Sequence, residues 1–192
     1  RIDGRPIEQV VREEITGPQK IEEFHLGIDP SMEERVAKLH PMEDCDRTSQ
    51  VTIYNRPEVH TAVLPAGGGI ATARGLARFY AMMERKGSLD GKTIVQSAPV
   101  EEAVELQVEG TDQSLGLFAQ RSLGLALADE RMGKSTGNPL NTFGHGGAGT
   151  SIGWADFDSG LAVGYITNGF RGSPTNNARL AAISQAVRDA CI

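Results

Sequence analysis

Two cysteines in 192 residues leave no material for a disulfide framework. Cys45 lies in a polar stretch and Cys191 near the end of an expected helix, and both read as incidental thiols. Aromatic residues are also scarce, 5% of the chain with Trp154 the single tryptophan. Positive charge is in deficit, with 19 Lys and Arg against 25 Asp and Glu. The resulting net charge of −6 disfavours nucleic acid and anionic membrane surfaces as partners. No stretch approaches the roughly 18 apolar residues of a membrane-spanning helix. The opening R-I-D-G-R-P-I-E has no apolar signal core, and the compartment stays open between cytoplasm and export. The four histidines, at 25, 40, 60 and 145, show no metal-ligand spacing, and neither metal nor cofactor is expected.

What is present is a balanced globular composition, 39% apolar and 23% charged, enough for one core or a substantial part of a larger one. Ile7, Val10, Val11 and Ile15 share a helical face, and Gly17-Pro18 ends it. F-H-L-G suits a strand or a buried turn. S-M-E-E-R-V-A-K-L suggests a helix opened by Ser31 and Glu34 as a capping box, with Met32, Val36 and Leu39 on one face. Residues 40–65 are polar, broken by prolines, and read as a long irregular loop. Thr72 is an expected N-cap for a helix presenting Leu76, Phe79, Tyr80 and Met83. K-G-S-L-D-G-K is a turn, and Ser97-Ala98-Pro99 opens another helix running through Val104 and Leu106.

Beyond residue 112 the pattern turns to strands. S-L-G-L-A-L-A alternates through Leu123, Leu125 and Leu127, while T-S-I-G-W-A-D-F and L-A-V-G-Y-I-T-N form a hairpin about D-S-G. A closing helix places Leu180, Ile183 and Val187 on one face. Helices, then an antiparallel meander, then a helix describe an α+β fold: an antiparallel sheet flanked by helices.

Several motifs compete for the chemistry. G-T-S-I-G fits a nucleophile elbow centred on Ser151, but that device needs a helix after the serine, and here strand patterning follows. The run Gly67-Gly68-Gly69 matches no phosphate-binding fingerprint and reads as a tight loop entering a helix, close to a ligand. Adjacent acidic pairs such as Glu33-Glu34 diverge on a helix and suit solvated faces. His145, flanked by glycines that let a ligand approach, remains.

Taken in order, L-P-A-G-G-G-I-A-T-A-R-G-L-A-R-F-Y, L-D-G-K-T-I-V, S-L-G-L-A-L and F-G-H-G-G-A-G-T-S-I-G-W-A-D-F resemble the serine β-lactamase-like family over residues 6–190. That family includes class C β-lactamases, D-alanyl-D-alanine carboxypeptidases and related esterases. The resemblance implies three motifs around one cleft: Ser-x-x-Lys with the nucleophile, Tyr-x-Asn, and Lys-Thr-Gly or a His-x-Gly variant on a sheet strand. His145-Gly146-Gly147 matches the third. It implies that Ala148 supplies an oxyanion-hole N–H, that Gly147 leaves room for the acyl group, and that Gly67, Gly68 and Gly69 border the substrate.

No serine here has Lys three residues on, and no tyrosine has Asn two residues on. The resemblance therefore implies that residues 1–192 are the C-terminal portion of one such domain, the Ser-x-x-Lys portion lying upstream. The expected partner is a small-molecule ester or amide substrate, with the upstream segment or a second copy covering exposed apolar surface. A binding or scaffold module on the same fold is the rival expectation.

Overall fold

The computed structural model describes residues 3–114 and 116–191; Arg1 and Ile2 of the opening stretch, Leu115 and Ile192 lie outside them. Six strands build the sheet: β1 (Val108–Asp112), β2 (Leu117–Arg121), β3 (Ala126–Leu127), β4 (Thr142–Gly146), β5 (Ser151–Asp156) and β6 (Leu161–Ile166). Each pairs antiparallel with its neighbour in sequence, so the meander expected from the alternation is one continuous sheet. Strands β5 and β6 are in register through Gly153 opposite Gly164 and Trp154 opposite Val163. Their turn closes when the Gly160 N–H donates to the Asp156 carbonyl, with Gly160 at φ +69°.

Strand alternation divides the core into two layers. Leu127, Phe143 and Ala155 face Tyr80, Met82 and Met83 of helix α1 (Ala73–Glu84) and Val100 of helix α2 (Ser97–Val104). Thr72 caps α1 as expected, its hydroxyl accepting from the Gly75 N–H at 3.1 Å. Close docking of α1 depends on glycines beneath it. A Cβ at Gly153 would run into the Tyr80 ring, and one at Gly164 would stand 2.6 Å from the Ala77 nitrogen.

The opposite layer joins Ala126, Ile152 and Trp154 to Met132 and to Leu180 of helix α3 (Ser173–Cys191). Its centre is polar. The buried Arg188 donates to Asp156 (2.5 Å), Thr142 Oγ1 (3.1 Å) and the Met132 carbonyl (2.9 Å), with its guanidinium 4.5 Å from the Trp154 ring. Trp154 Nε1 donates to Ser184 Oγ at 3.0 Å. Asp156 also accepts from the amides of Asp158 and Ser159 and from the Ser135 hydroxyl.

Several local expectations are corrected. The first helix, Ile7–Val10, widens into a π-helical turn over Val11–Thr16, where Gly17 N–H donates to the Arg12 carbonyl. Its expected apolar face is consequently only half-buried, with Ile7 exposed. Pro30–Arg35 is a 3-10 helix capped by Asp29, whose carboxylate takes the Ser31 amide, so Ser31 is inside the element rather than its cap. The expected loop over 40–65 contains two short helices, Thr48–Tyr54 and Pro57–Thr61, and a short strand, His40–Pro41. F-H-L is a strand, Phe24–Leu26, paired with Gly69–Ala71. Leu123 is exposed in a turn with Gly124 at φ +88°, so β3 begins only at Ala126. Helix α3 buries Asn176, Leu180, Ser184 and Arg188, spaced by four, in place of Ile183 and Val187. Val108, Leu117 and Phe118 of β1 and β2 stand exposed. Among the described residues no helix is long and apolar enough to cross a membrane.

The Arg188–Asp156 pair makes the first testable point. Burial pushes the Asp156 carboxyl up, but the bonds from Arg188, Thr142 and the two amides outweigh it and hold the group below its ordinary 3.8. Such a lowered group contributes stability that is complete above about pH 4 and is lost as pH falls through the lower folded-state value. Arg188→Met strands a buried carboxylate and should cost about 3–5 kcal/mol in urea denaturation at neutral pH. The gap from wild type should narrow as the buffer is taken below the ordinary carboxylate range; a pH-independent gap would count against the pair as its source.

Candidate active site

The candidate site forms where β4 leaves the sheet. Phe143 points into the α1 layer, so two residues on His145 emerges on the same face, opposite Gly153, and is exposed. The chain then turns through Gly147, Ala148, Gly149 and Thr150 into Ser151. Gly147 N–H closes the turn on the Ser151 carbonyl at 2.8 Å. The Thr150 carbonyl accepts from Thr167 N–H and Oγ1 at 3.2 and 3.1 Å. Ala148 is exposed, and its N–H makes no hydrogen bond among the described residues.

Each glycine of this strand end has a neighbour occupying the space of its missing side chain. At Gly146 it is the Arg131 guanidinium, whose Nη1 would stand 2.5 Å from a Cβ. At Gly147 it is Ser151 Oγ, a nearer constraint than the expected need for acyl room. Gly149 has φ +73° and the Phe170 ring 2.7 Å from where a Cβ would sit.

His145, Gly146, Gly147 and Ala148 line a cleft of about 1490 Å³ together with Gly67, Gly68 and Gly69. The two glycine segments thus face one cavity. The triple glycine is a tight turn in which the Gly67 and Gly68 amides both donate to the Leu64 carbonyl, at 3.1 and 2.7 Å. It leads directly into the Gly69–Ala71 strand and the Thr72 cap of α1.

Three further cleft features escaped sequence reasoning. Arg131 forms a two-pronged pair with Asp129, at 2.8 and 2.6 Å. Burial raises the Asp129 carboxyl, and the Arg131 bonds overcome this to hold it below the usual range. The buried His60 places Nδ1 3.0 Å from both Glu33 oxygens, a contact between residues 27 apart in sequence. Tyr80 lies against His145; burial pushes its phenol up to about 12, partly offset by a hydrogen bond from the His145 backbone. The only sequence hint was Tyr80's place on the buried face of α1.

Ser151 opens strand β5, with no helix after it, so the elbow context is missing. No hydrogen bond joins Ser151 Oγ to His145, and no cluster of three metal-ligating side chains occurs among the described residues.

With the geometry in hand, comparison gives the family. The Beta-lactamase family profile matches residues 1–188. The chain belongs to the β-lactamase family. Similar to it is the esterase/β-lactamase LipL of Mycobacterium tuberculosis (strain ATCC 25618 / H37Rv), 27% identical over 195 residues, covering 87% of this chain and 44% of LipL. A family VIII carboxylesterase superposes with TM-score 0.80 at 24% identity, covering 98% of this chain and 53% of that one. A penicillin-binding protein homologue from Caulobacter crescentus gives TM-score 0.78 at 24% identity, with 97% and 53% covered. These two share the fold, and the chain spans about half the length of the relatives it matches.

Within this β-lactamase-family cleft a phenol pushed up to about 12 stays protonated at neutral pH, so Tyr80 accepts from the His145 backbone and does not serve as a base. Ultraviolet difference titration of wild type against Tyr80→Phe should show the missing phenol ionising near 12. A component ionising at or below pH 10, the ordinary tyrosine value, would contradict its burial in the closed core.

Proposed function

We propose that residues 1–192 are the C-terminal portion of a β-lactamase-like serine hydrolase that cleaves an ester or amide through an acyl-serine intermediate. The chain supplies the His145-Gly146-Gly147 strand, the Ala148 oxyanion amide and the cleft wall at Gly67–Gly69. The observation that carries this is Ala148: an exposed residue lining the cleft with His145, its N–H without a hydrogen-bond acceptor among the described residues. A fixed donor of this kind is suited to the negative charge that develops on a carbonyl oxygen under attack. His145, on the same face, is within the wall that would meet the substrate and hydrogen-bonds a substrate carboxylate or assists proton transfer.

The rival is a non-catalytic binding module. It is favoured by the lack of any Ser-x-x-Lys in these residues and by Ser151 opening a strand with no helix after it. A fluorophosphonate probe on the complete protein separates the two. One labelled serine, with ester turnover lost when that serine is replaced, supports the hydrolase; absence of labelling in folded protein supports the binding module. Ala148→Pro deletes the N–H, and turnover should fall about 10²–10³-fold, the effect of one lost oxyanion donor. Ala148→Gly keeps the N–H and should stay within about tenfold of wild type, since only an interaction made in the transition state is at stake.

A further inference from the structure

From the way helix α3 holds the turn after β4, we infer that Arg179 is a positioning residue for the Ala148 amide. This rests on the oxyanion reading of Ala148. Gly-Ala-Gly is among the least constrained tripeptides a chain offers, because both flanking residues have nearly free φ and ψ. A donor that must meet a developing charge within a few tenths of an ångström needs that freedom removed beforehand.

The structure removes it from two sides. Upstream, Gly147 N–H is tied to the Ser151 carbonyl. Downstream, the Gly149 carbonyl accepts from Arg179 Nη2 at 3.3 Å and from Arg171 N–H at 3.2 Å. Phe170 closes the remaining side of Gly149. Ala148 is thus bracketed, with its own N–H left unclaimed.

Arg179 itself is held in place for this contact. The same Nη2 donates to Oδ1 of the buried Asn176 at 2.6 Å, one helical turn before it on α3. The guanidinium carbon stands 5.8 Å from the Tyr165 ring of β6. Of the bonds on the Gly149 carbonyl, the one from Arg171 is a backbone amide two residues before helix α3 begins. Arg179 is the only side-chain donor to that carbonyl among the described residues. It is also the bond that a substitution can delete without altering the backbone.

The test compares Arg179→Met and Arg179→Lys in the complete protein, reading steady-state kinetics and the backbone ¹⁵N order parameters of Ala148 and Gly149. In the Met variant the two order parameters should fall from the rigid range near 0.85 toward 0.6. Its kcat should fall about 10- to 100-fold with KM within about threefold, because the donor matters most in the transition state. Lysine retains a charged donor and should recover a large part of both. Order parameters unchanged in Arg179→Met overturn the inference, as does an equal loss in both variants that follows only the folded fraction. A loosened turn with unchanged kcat overturns the catalytic consequence. If wild-type protein turns over no ester, the hydrolase reading fails, and the order parameters alone decide whether Arg179 holds the turn.

Discussion

Asp156 and Arg188 meet beneath the sheet with neither side chain open to solvent, and the register of helix α3 against β4 and β5 follows from that contact. A buried ion pair is not by itself a large source of stability, since both charges must leave water. Here the cost is offset by completeness: hydroxyls, two backbone amides, a carbonyl and the Trp154 ring satisfy the groups on both sides. What the pair adds is specificity. A helix packed on Trp154 and Leu180 alone can slide or rotate, whereas Arg188 fixes its register against β4 and β5. Nine residues earlier on the same helix, about 14 Å along its axis, Arg179 reaches the turn after β4. One rigid rod is therefore anchored at the sheet's centre and at the candidate site.

The glycines of H-G-G-A-G follow from the same close packing. Arg131 stands against Gly146, Ser151 Oγ against Gly147 and Phe170 against Gly149, from three directions. A side chain at any of these positions must displace a neighbour that is itself held, as Arg131 is by Asp129. On the opposite face Gly153 and Gly164 bring α1 down onto the sheet, which places Tyr80 behind His145. Between His145 and Thr150 only Ala148 carries a side chain, and no hydrogen bond takes its N–H among the described residues.

Legibility in the sequence followed the range of the interactions involved. The β5–β6 hairpin, the Thr72 cap and the α1 face rest on contacts a few residues apart, and each was readable from pattern. The 3-10 helix at Pro30 was misread because Ser31 and Glu34 imitate a capping box while Asp29, one residue before the proline, takes the amide. The region 40–65 looked irregular because its two helices are of seven and five residues, too short for periodicity to register. Helix α3 misled for another reason: its buried stripe is Asn176, Leu180, Ser184 and Arg188, and three of the four are polar. Their burial depends on partners such as Asp156 and Trp154, which lie more than twenty residues away. The site behaved alike. His145 and the three glycines at 67–69 are candidates through the ordered resemblance and line one cavity, whereas Arg131, His60 and Arg179 depend on tertiary neighbours alone.

These constraints bear on how chemistry would be divided in the proposed enzyme. A nucleophile needs an activating base, and Ser151, at the start of β5, has no hydrogen bond to one among the described residues. A base needs a proton-accepting form at working pH, and burial denies that to Tyr80. What the chain has instead is a fixed, unclaimed amide at a cleft lip, an imidazole on the same face and a turn clamped on two sides. Those are the parts that receive charge in an acyl transfer, and they gain most from rigidity because they must be in place before the charge appears. The rigid half of such a site belongs at the end of interior strands braced by a buried ion pair, as where β4 runs out into the Gly147–Thr150 turn.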